Sequence, residues 1–328
     1  MADNISLVVG GPLLRQINDK VIIVQILVMI FLCVNLLLIV TYFKKESLHT
    51  TARYILFAVT LLSDSFLLIM SDTLLIFSYF EITINVWSCI IISFLALLYN
   101  MVTPVTLTAM TLERYVAICM PLRHGELCSS RRTMRCILII HAVSSVPSIV
   151  ILSIFFASAS LSSYTQYSIC SVESLMLHRW QDHIKAALYQ FYFLIMFISI
   201  VFCYVKIMKV AKAASGENRT SKWKGLRTVI FHGCQLLLCL IQLWCPFIET
   251  ALLQISLRLY ANVRYTNYIL FSLAPRCLSP LIYGLRDETF FLALKNLIFF
   301  SLYKRKINLF DKQIQKLQFA QLDSGALH

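Results

Sequence analysis

Glu113, Arg114 and Tyr115 stand where a long apolar run meets its first charges, just ahead of Pro121. A carboxylate beside a guanidinium at a helix end forms an ion pair that a partner can break by offering Arg114 another contact. The plainer reading is an arginine that reaches the lipid headgroups. Further charges fall inside apolar stretches, among them Asp64, Asp72, Glu249 and Arg276. Burying any of them unpaired in hydrocarbon is costly, so each needs a partner or a wet cavity. Enzyme chemistry is harder to find: there is no HExxH, no GxSxG and no phosphate-cradling glycine loop, and only 8 glycines to build one. The 11 cysteines form no CxxC pair, metal cluster or disulfide ladder, and most sit in apolar runs as small hydrophobes. No cofactor or metal site is expected.

The elements that must position these groups are set by lipid. At 59% hydrophobic and 14% charged, with mean hydropathy +0.76, the chain carries more apolar surface than a soluble core can hide. Seven apolar stretches, 21–43, 54–80, 87–120, 136–157, 186–210, 229–253 and 265–285, each approach or exceed the roughly 20 residues a spanning helix needs. Cys89 and Arg114 would lie about 37 Å apart along one helix, so they belong to opposite faces of a hydrocarbon core roughly 30 Å thick. With the amino end outside, the inner segments hold 22 of the 29 Lys and Arg, which the positive-inside rule favours. The net charge of +13 is then a matter of membrane sidedness, and nucleic acid is not an expected partner. By residue count Asp64 and Arg276 are both roughly 15 Å deep, a level at which they can pair. Asp72 and Glu249 fall nearer the outer ends, as interfacial groups or as polar contacts for a ligand.

The string Met110 to His124, MTLERYVAICMPLRH, resembles the MAxDRYVAICxPLxY of odorant receptors, within the rhodopsin-like G-protein-coupled receptors, with Glu113 for Asp and His124 for Tyr. Asn35 in VNLLLIV is similar to the family's GNLLLI, and Leu48-His49-Thr50 to the start of LHTPMY. Leu243-Trp244-Cys245-Pro246 resembles CWxP, and Ser279-Pro280-Leu281-Ile282-Tyr283 resembles NPxxY with Ser for Asn. Thr51-Ala52-Arg53, the Trp244 motif itself and GLRTVIFHG at 225–233 depart from typical odorant receptors. On these departures the chain is identified as a member of a divergent, fish-type branch.

The resemblance implies an all-α, seven-transmembrane helix bundle with a short amphipathic helix after the seventh span. Its parts would be an extracellular segment 1–20, a receptor domain 21–285, a membrane-surface helix 286–303 and a cytoplasmic tail 304–328. Lys304, Arg305 and Lys306 would meet anionic lipid, and 213–224 would be a flexible inner loop. Family position and the derived topology together point to a Cys89–Cys170 disulfide, Cys170 being the sole cysteine between the fourth and fifth spans. The sequon Asn4-Ile5-Ser6 is usable for glycosylation if the amino end is lumenal.

By family position the ligand cavity would be lined by Ala96, Leu97, Asn100, Tyr189, Tyr192, Phe247, Ile248, Ala251 and Ile269, each of which could equally be bundle packing. Ala96 replaces the Asp of amine receptors and Leu273 the retinal Lys of opsins, which disfavours both. Glu113, Arg114, Tyr115, Tyr204, Trp244, Pro246, Pro280 and Tyr283 would be the activation switch and G-protein contact, with Trp244 repacking at a kink made by Pro246. Asp64 matches the position where relatives hold sodium, a cation that Arg276 would displace. The expected function is an odorant receptor of olfactory neurons, at the plasma membrane, binding a small-molecule odorant and activating a heterotrimeric, stimulatory G protein that raises cyclic AMP. Alternatives are a non-olfactory receptor for a lipid or peptide and a seven-span transporter or channel; the latter calls for internal repeats and a polar path, and neither is visible.

Overall fold

The computed structural model describes residues 11–159, 166–213, 217–253, 255–280 and 291–295. The elements run α1 (Gly11–Lys44), α2 (Ala52–Tyr79), β1 (Thr83–Asn85), α3 (Val86–Cys119), α4 (Pro121–Leu127), α5 (Ser130–Ser158), β2 (Tyr167–Ile169), α6 (Arg179–Ala213), α7 (Glu217–Leu253) and α8 (Leu257–Asn267). A π-helical turn, Tyr268–Leu273, joins α8 to α9 (Ala274–Pro280). Five of the helices, α1, α2, α3, α5 and α6, are each long and apolar enough to cross a membrane. Helices suit such a chain because hydrocarbon offers no partner for a backbone N–H or C=O.

Several buried hydroxyls are satisfied the same way, inside their own helix. Thr60 donates to Leu56 O, Ser65 to Leu61 O, Thr106 to Val102 O and Thr111 to Leu107 O, each four residues back. Asn35 is the contrast: it is fully buried and its side-chain amide has no hydrogen-bond partner among the described residues.

The α3 helix packs against α2, α5, α6 and α7, which makes it the central column. Its start is capped by Asn85, whose side chain accepts from the Trp87 N–H at 2.9 Å. Its end comes at Cys119, because Pro121 has no N–H to continue the ladder and instead opens α4. One apolar cluster joins α1, α2, α3 and α5 around Phe57, Leu61 and Leu107. A second joins α3, α5, α6 and α7 around Leu97, Met101, Ile207 and Val229. A third, of Val24, Val28, Leu68 and Leu273, closes α1 and α2 on the last span.

Cys89 and Cys170 form a disulfide, which ties the top of α3 to the segment after β2. Beside it β1 and β2 pair antiparallel, Thr83 with Ile169 and Asn85 with Tyr167. The loop expected over 213–224 is largely helix: α7 begins at Glu217. Polarity there hid the helix from hydropathy, since a helix already propagating adds each further turn at little cost. Of the membrane-surface helix expected over 286–303, residues 291–295 are described; they are helical, and Leu294 packs against the first cluster.

Candidate functional site

At the Arg114 end, a carboxylate is held from two sides. Glu113, with its side chain 7% exposed, has Oε2 3.7 Å from Arg114 Nε and Oε1 3.2 Å from His124 Nε2. Arg114 comes from α3 and His124 from α4, so the turn enforced by Pro121 is what returns His124 to Glu113. Tyr115 meets the Phe202 ring of α6 at 5.6 Å between centroids. Tyr115, Tyr204, Leu226 and Val229 share one apolar cluster, so α3, α6 and α7 are closed together beside Arg114.

Midway along the bundle lies a polar network built on the buried Asp64, Thr103 and Arg276 and the half-buried Asn100. Asp64 Oδ1 accepts from Thr103 Oγ1 at 2.8 Å and lies 3.5 Å from Arg276 Nη1. The other arm of the same guanidinium, Nη2, donates to Asn100 Oδ1 at 3.0 Å. Arg276 and Asp64 are 1% and 0% exposed, so the charges have only each other and their polar neighbours in place of water. One helical turn of α3 separates Asn100 from Thr103, which lets α3 engage both partners at once.

Next to this network is a small cavity of about 20 Å³ between α3, α6 and α7, lined by Asn100, Met101, Pro104, Tyr189, Phe193, Met196, Cys239 and Gln242. That is room for about one water. The Tyr189 hydroxyl, on a side chain only 3% exposed, has no hydrogen-bond partner among the described residues.

Of the nine residues expected at a ligand cavity, Asn100 and Tyr189 line this one. Ala96 and Leu97 are buried a turn above on α3. Tyr192 turns away, donating its hydroxyl to Val143 O of α5 at 3.1 Å. Ile269 packs against α1 and α2, and Ile248 and Ala251 are exposed. Phe247, Trp244 and Pro246 sit on α7, and Pro280 ends α9. Tyr283 and Asn4 lie outside the described residues. Sequence position missed Met101, Pro104, Phe193, Met196, Cys239 and Gln242; the first two sit within a turn of Asn100, and Phe193 and Met196 follow Tyr189 at helical spacing, a signal that was available. It also missed the contact of His124 with Glu113.

The two acids nearer the disulfide end are both engaged. Asp72 accepts from Gln25 of α1, and Glu249 Oε1 accepts from Asn267 Nδ2 at 2.9 Å. Above Asp64 on the same face of α2, Ser71 Oγ lies 3.3 Å from the Tyr268 hydroxyl.

Comparison with known proteins agrees with this architecture. Residues 34–283 match the 7 transmembrane receptor (rhodopsin family). The chain is 44% identical to Odorant receptor 131-2 of Danio rerio over 88% of its length and 89% of that protein's. It is 26% identical to Olfactory receptor 56A4 of Homo sapiens over 80% of its length and 85% of that protein's. The higher identity to the fish protein accords with the departures from the commoner odorant-receptor motifs. A multi-pass membrane bundle, the rhodopsin-type motifs in their places and these matches give one assignment: the chain belongs to the rhodopsin family of seven-transmembrane receptors, in its odorant-receptor branch.

Proposed function

We propose that this chain is a plasma-membrane odorant receptor whose amino end is extracellular. It takes a small-molecule odorant between α3, α6 and α7 and activates a heterotrimeric G protein at the Arg114 end. The observation that carries this reading is the pairing of a closed Arg114 end, where Glu113 holds Arg114, with a mostly apolar cavity midway along the bundle. Odorant binding enlarges the cavity, Trp244 and Pro246 form the pivot, and the Arg114 end of α7 swings out. Arg114 then leaves Glu113 for the G protein. Such a shift is driven only by the odorant's difference in affinity between the closed and open arrangements.

The excess of Lys and Arg in the segments next to Arg114 supports that end as cytoplasmic. With this orientation Asn4 is a glycosylation acceptor, 286–303 lies along the inner leaflet, and Lys304, Arg305 and Lys306 meet lipid headgroups. The G protein is the stimulatory one that raises cyclic AMP, in olfactory sensory neurons.

The test is a cyclic AMP assay in cells expressing the chain, screened with odorant mixtures beside an Arg114→Ala control. A response abolished by the control supports the reading; one that survives it unchanged overturns the mechanism. A tag on the amino terminus reached only after permeabilising the cells overturns the orientation.

A further inference from the structure

Among the described residues, the last span touches α2 through two polar contacts, Tyr268 with Ser71 and Arg276 with Asp64. On α2 the two anchors are seven positions apart. Seven residues of α-helix turn about 700°, within about 20° of two full turns, so Ser71 and Asp64 share a face. On the last span the anchors are eight positions apart, and eight residues of α-helix turn about 800°, which would splay Tyr268 and Arg276 by about 80°. The π-helical turn at Tyr268–Leu273 takes up the extra residue between them. A π turn is rare and persists where something holds it. Here it is held at both ends, and the lower hold is Arg276.

Arg276 has a second attachment. Its Nη2 donates to Asn100, and Asn100 is a wall of the cavity. One planar side chain thus links the cavity wall to the buried acid of α2, and its backbone lies in the first turn after the π segment. The Cys277 thiol, next in sequence, donates to Leu273 O at 3.0 Å, at the end of that segment.

We propose that Arg276 is a positioning residue that latches the register of the last span to the cavity: Asn100 and Asp64 together hold the π turn, and loss of the Asn100 arm lets 268–273 relax toward α-helix and turn α9. The proposal rests on the receptor reading for its purpose, since an occupant that draws Asn100 away from Arg276 would trip the latch. The latch itself requires neither odorant nor G protein. The charge pair alone does not set the register, because an ion pair tolerates rotation that a planar two-arm contact does not.

The experiment uses the purified full-length chain in lipid nanodiscs and follows the alkylation rate of Cys277 by N-ethylmaleimide with peptide mass spectrometry. Cys203, fully buried on α6, reports global opening in the same sample. Asn100→Ala is expected to change the Cys277 rate by at least about threefold with Cys203 still protected, as a local opening does. Asn100→Asp keeps an acceptor for Arg276 and is expected to restore the wild-type rate. Deleting Leu270, a lipid-exposed residue of the π turn, leaves seven positions between the anchors, so a plain α-helix satisfies both and Asn100→Ala should then have no effect on Cys277. An unchanged Cys277 rate in Asn100→Ala overturns the proposal. If Asn100→Ala also exposes Cys203, the deletion alone decides: a wild-type Cys277 rate, expected of a span whose two anchors are both satisfied, supports the latch, and an altered Cys277 rate with Cys203 protected overturns it. A working latch in a chain that never raises cyclic AMP would refute the receptor reading and leave this one standing.

Discussion

Gln235 of α7 donates its side-chain amide to the backbone carbonyl of Pro275 on α9 across 2.7 Å, in a fully buried setting. The bond crosses from the helix proposed to swing to the span that carries Arg276. Gln235→Leu keeps the bulk and removes the donor. It should lower unfolding stability by about 1 kcal/mol, the usual worth of an interhelical hydrogen bond in a membrane bundle. Thermal unfolding in nanodiscs checks this; a melting temperature equal to wild type would mean that the contact contributes nothing.

The Asp64–Arg276 pair leads to a second expectation. Removing one partner of a buried pair strands a charge, at a cost of about 3–5 kcal/mol, whereas removing both often costs little. Arg276→Met and Asp64→Asn should therefore each reduce the folded yield sharply, and the double variant should recover most of it. Folded yield by size-exclusion profile is the measurement, and additive losses in the double variant would show that the two side chains act separately.

Glu113 has two partners, so loss of its charge acts on both. Glu113→Gln weakens its hold on Arg114 and on His124. At 3.7 Å the Arg114 contact is looser than a hydrogen bond, and losing about 1 kcal/mol of hold, the upper end for a loose pair, corresponds to a rise of about fivefold in ligand-independent output. His124→Phe should raise it less, because the Arg114 contact remains. Basal cyclic AMP in transfected cells, normalised to surface expression, tests both; the ordering of the two variants is the informative result.

Cys128, at the end of α4, has its thiol pushed above the ordinary thiol range, first by burial, then by the Glu113 carboxylate and by Cys136. Each cause disfavours the thiolate, and the thiolate is the reactive form. Iodoacetamide should therefore modify Cys128 more slowly than glutathione near pH 8, with a rate that goes on climbing where the glutathione curve flattens. Glu113→Gln removes the second cause and should move the Cys128 curve to lower pH. Peptide mass spectrometry over a pH series reads the shift directly.

The parts of this molecule that follow from counting were readable in the sequence. Hydropathy marks the spans, and a rise of 1.5 Å per residue sets Cys89 and Arg114 on opposite faces and puts Asp64 level with Arg276. What counting cannot supply is the rotation of a helix about its own axis. Tyr192 and Ile269 share family positions with cavity residues, yet Tyr192 bonds to α5 and Ile269 packs on α1 and α2. The π turn left no trace because YILFSL reads as any other apolar stretch, and its extra residue shows only when the partners of Tyr268 and Arg276 are known. The contact of His124 with Glu113 was invisible because the neighbouring α4 fixes it, and the polar start of α7 because propagation of a helix carries no hydropathy signal.

The gap beside Asn100 and Tyr189 has a kinetic consequence. With space for a single water, it has no vacant chamber for any organic molecule to fall into. If the proposed odorant site is here, its guest must wait for the walls to part or force them, and association should run well below the diffusion ceiling, as when docking requires rearrangement of the host. Under that proposal part of every favourable contact goes into opening the walls, and selectivity would come from which guests can keep them open.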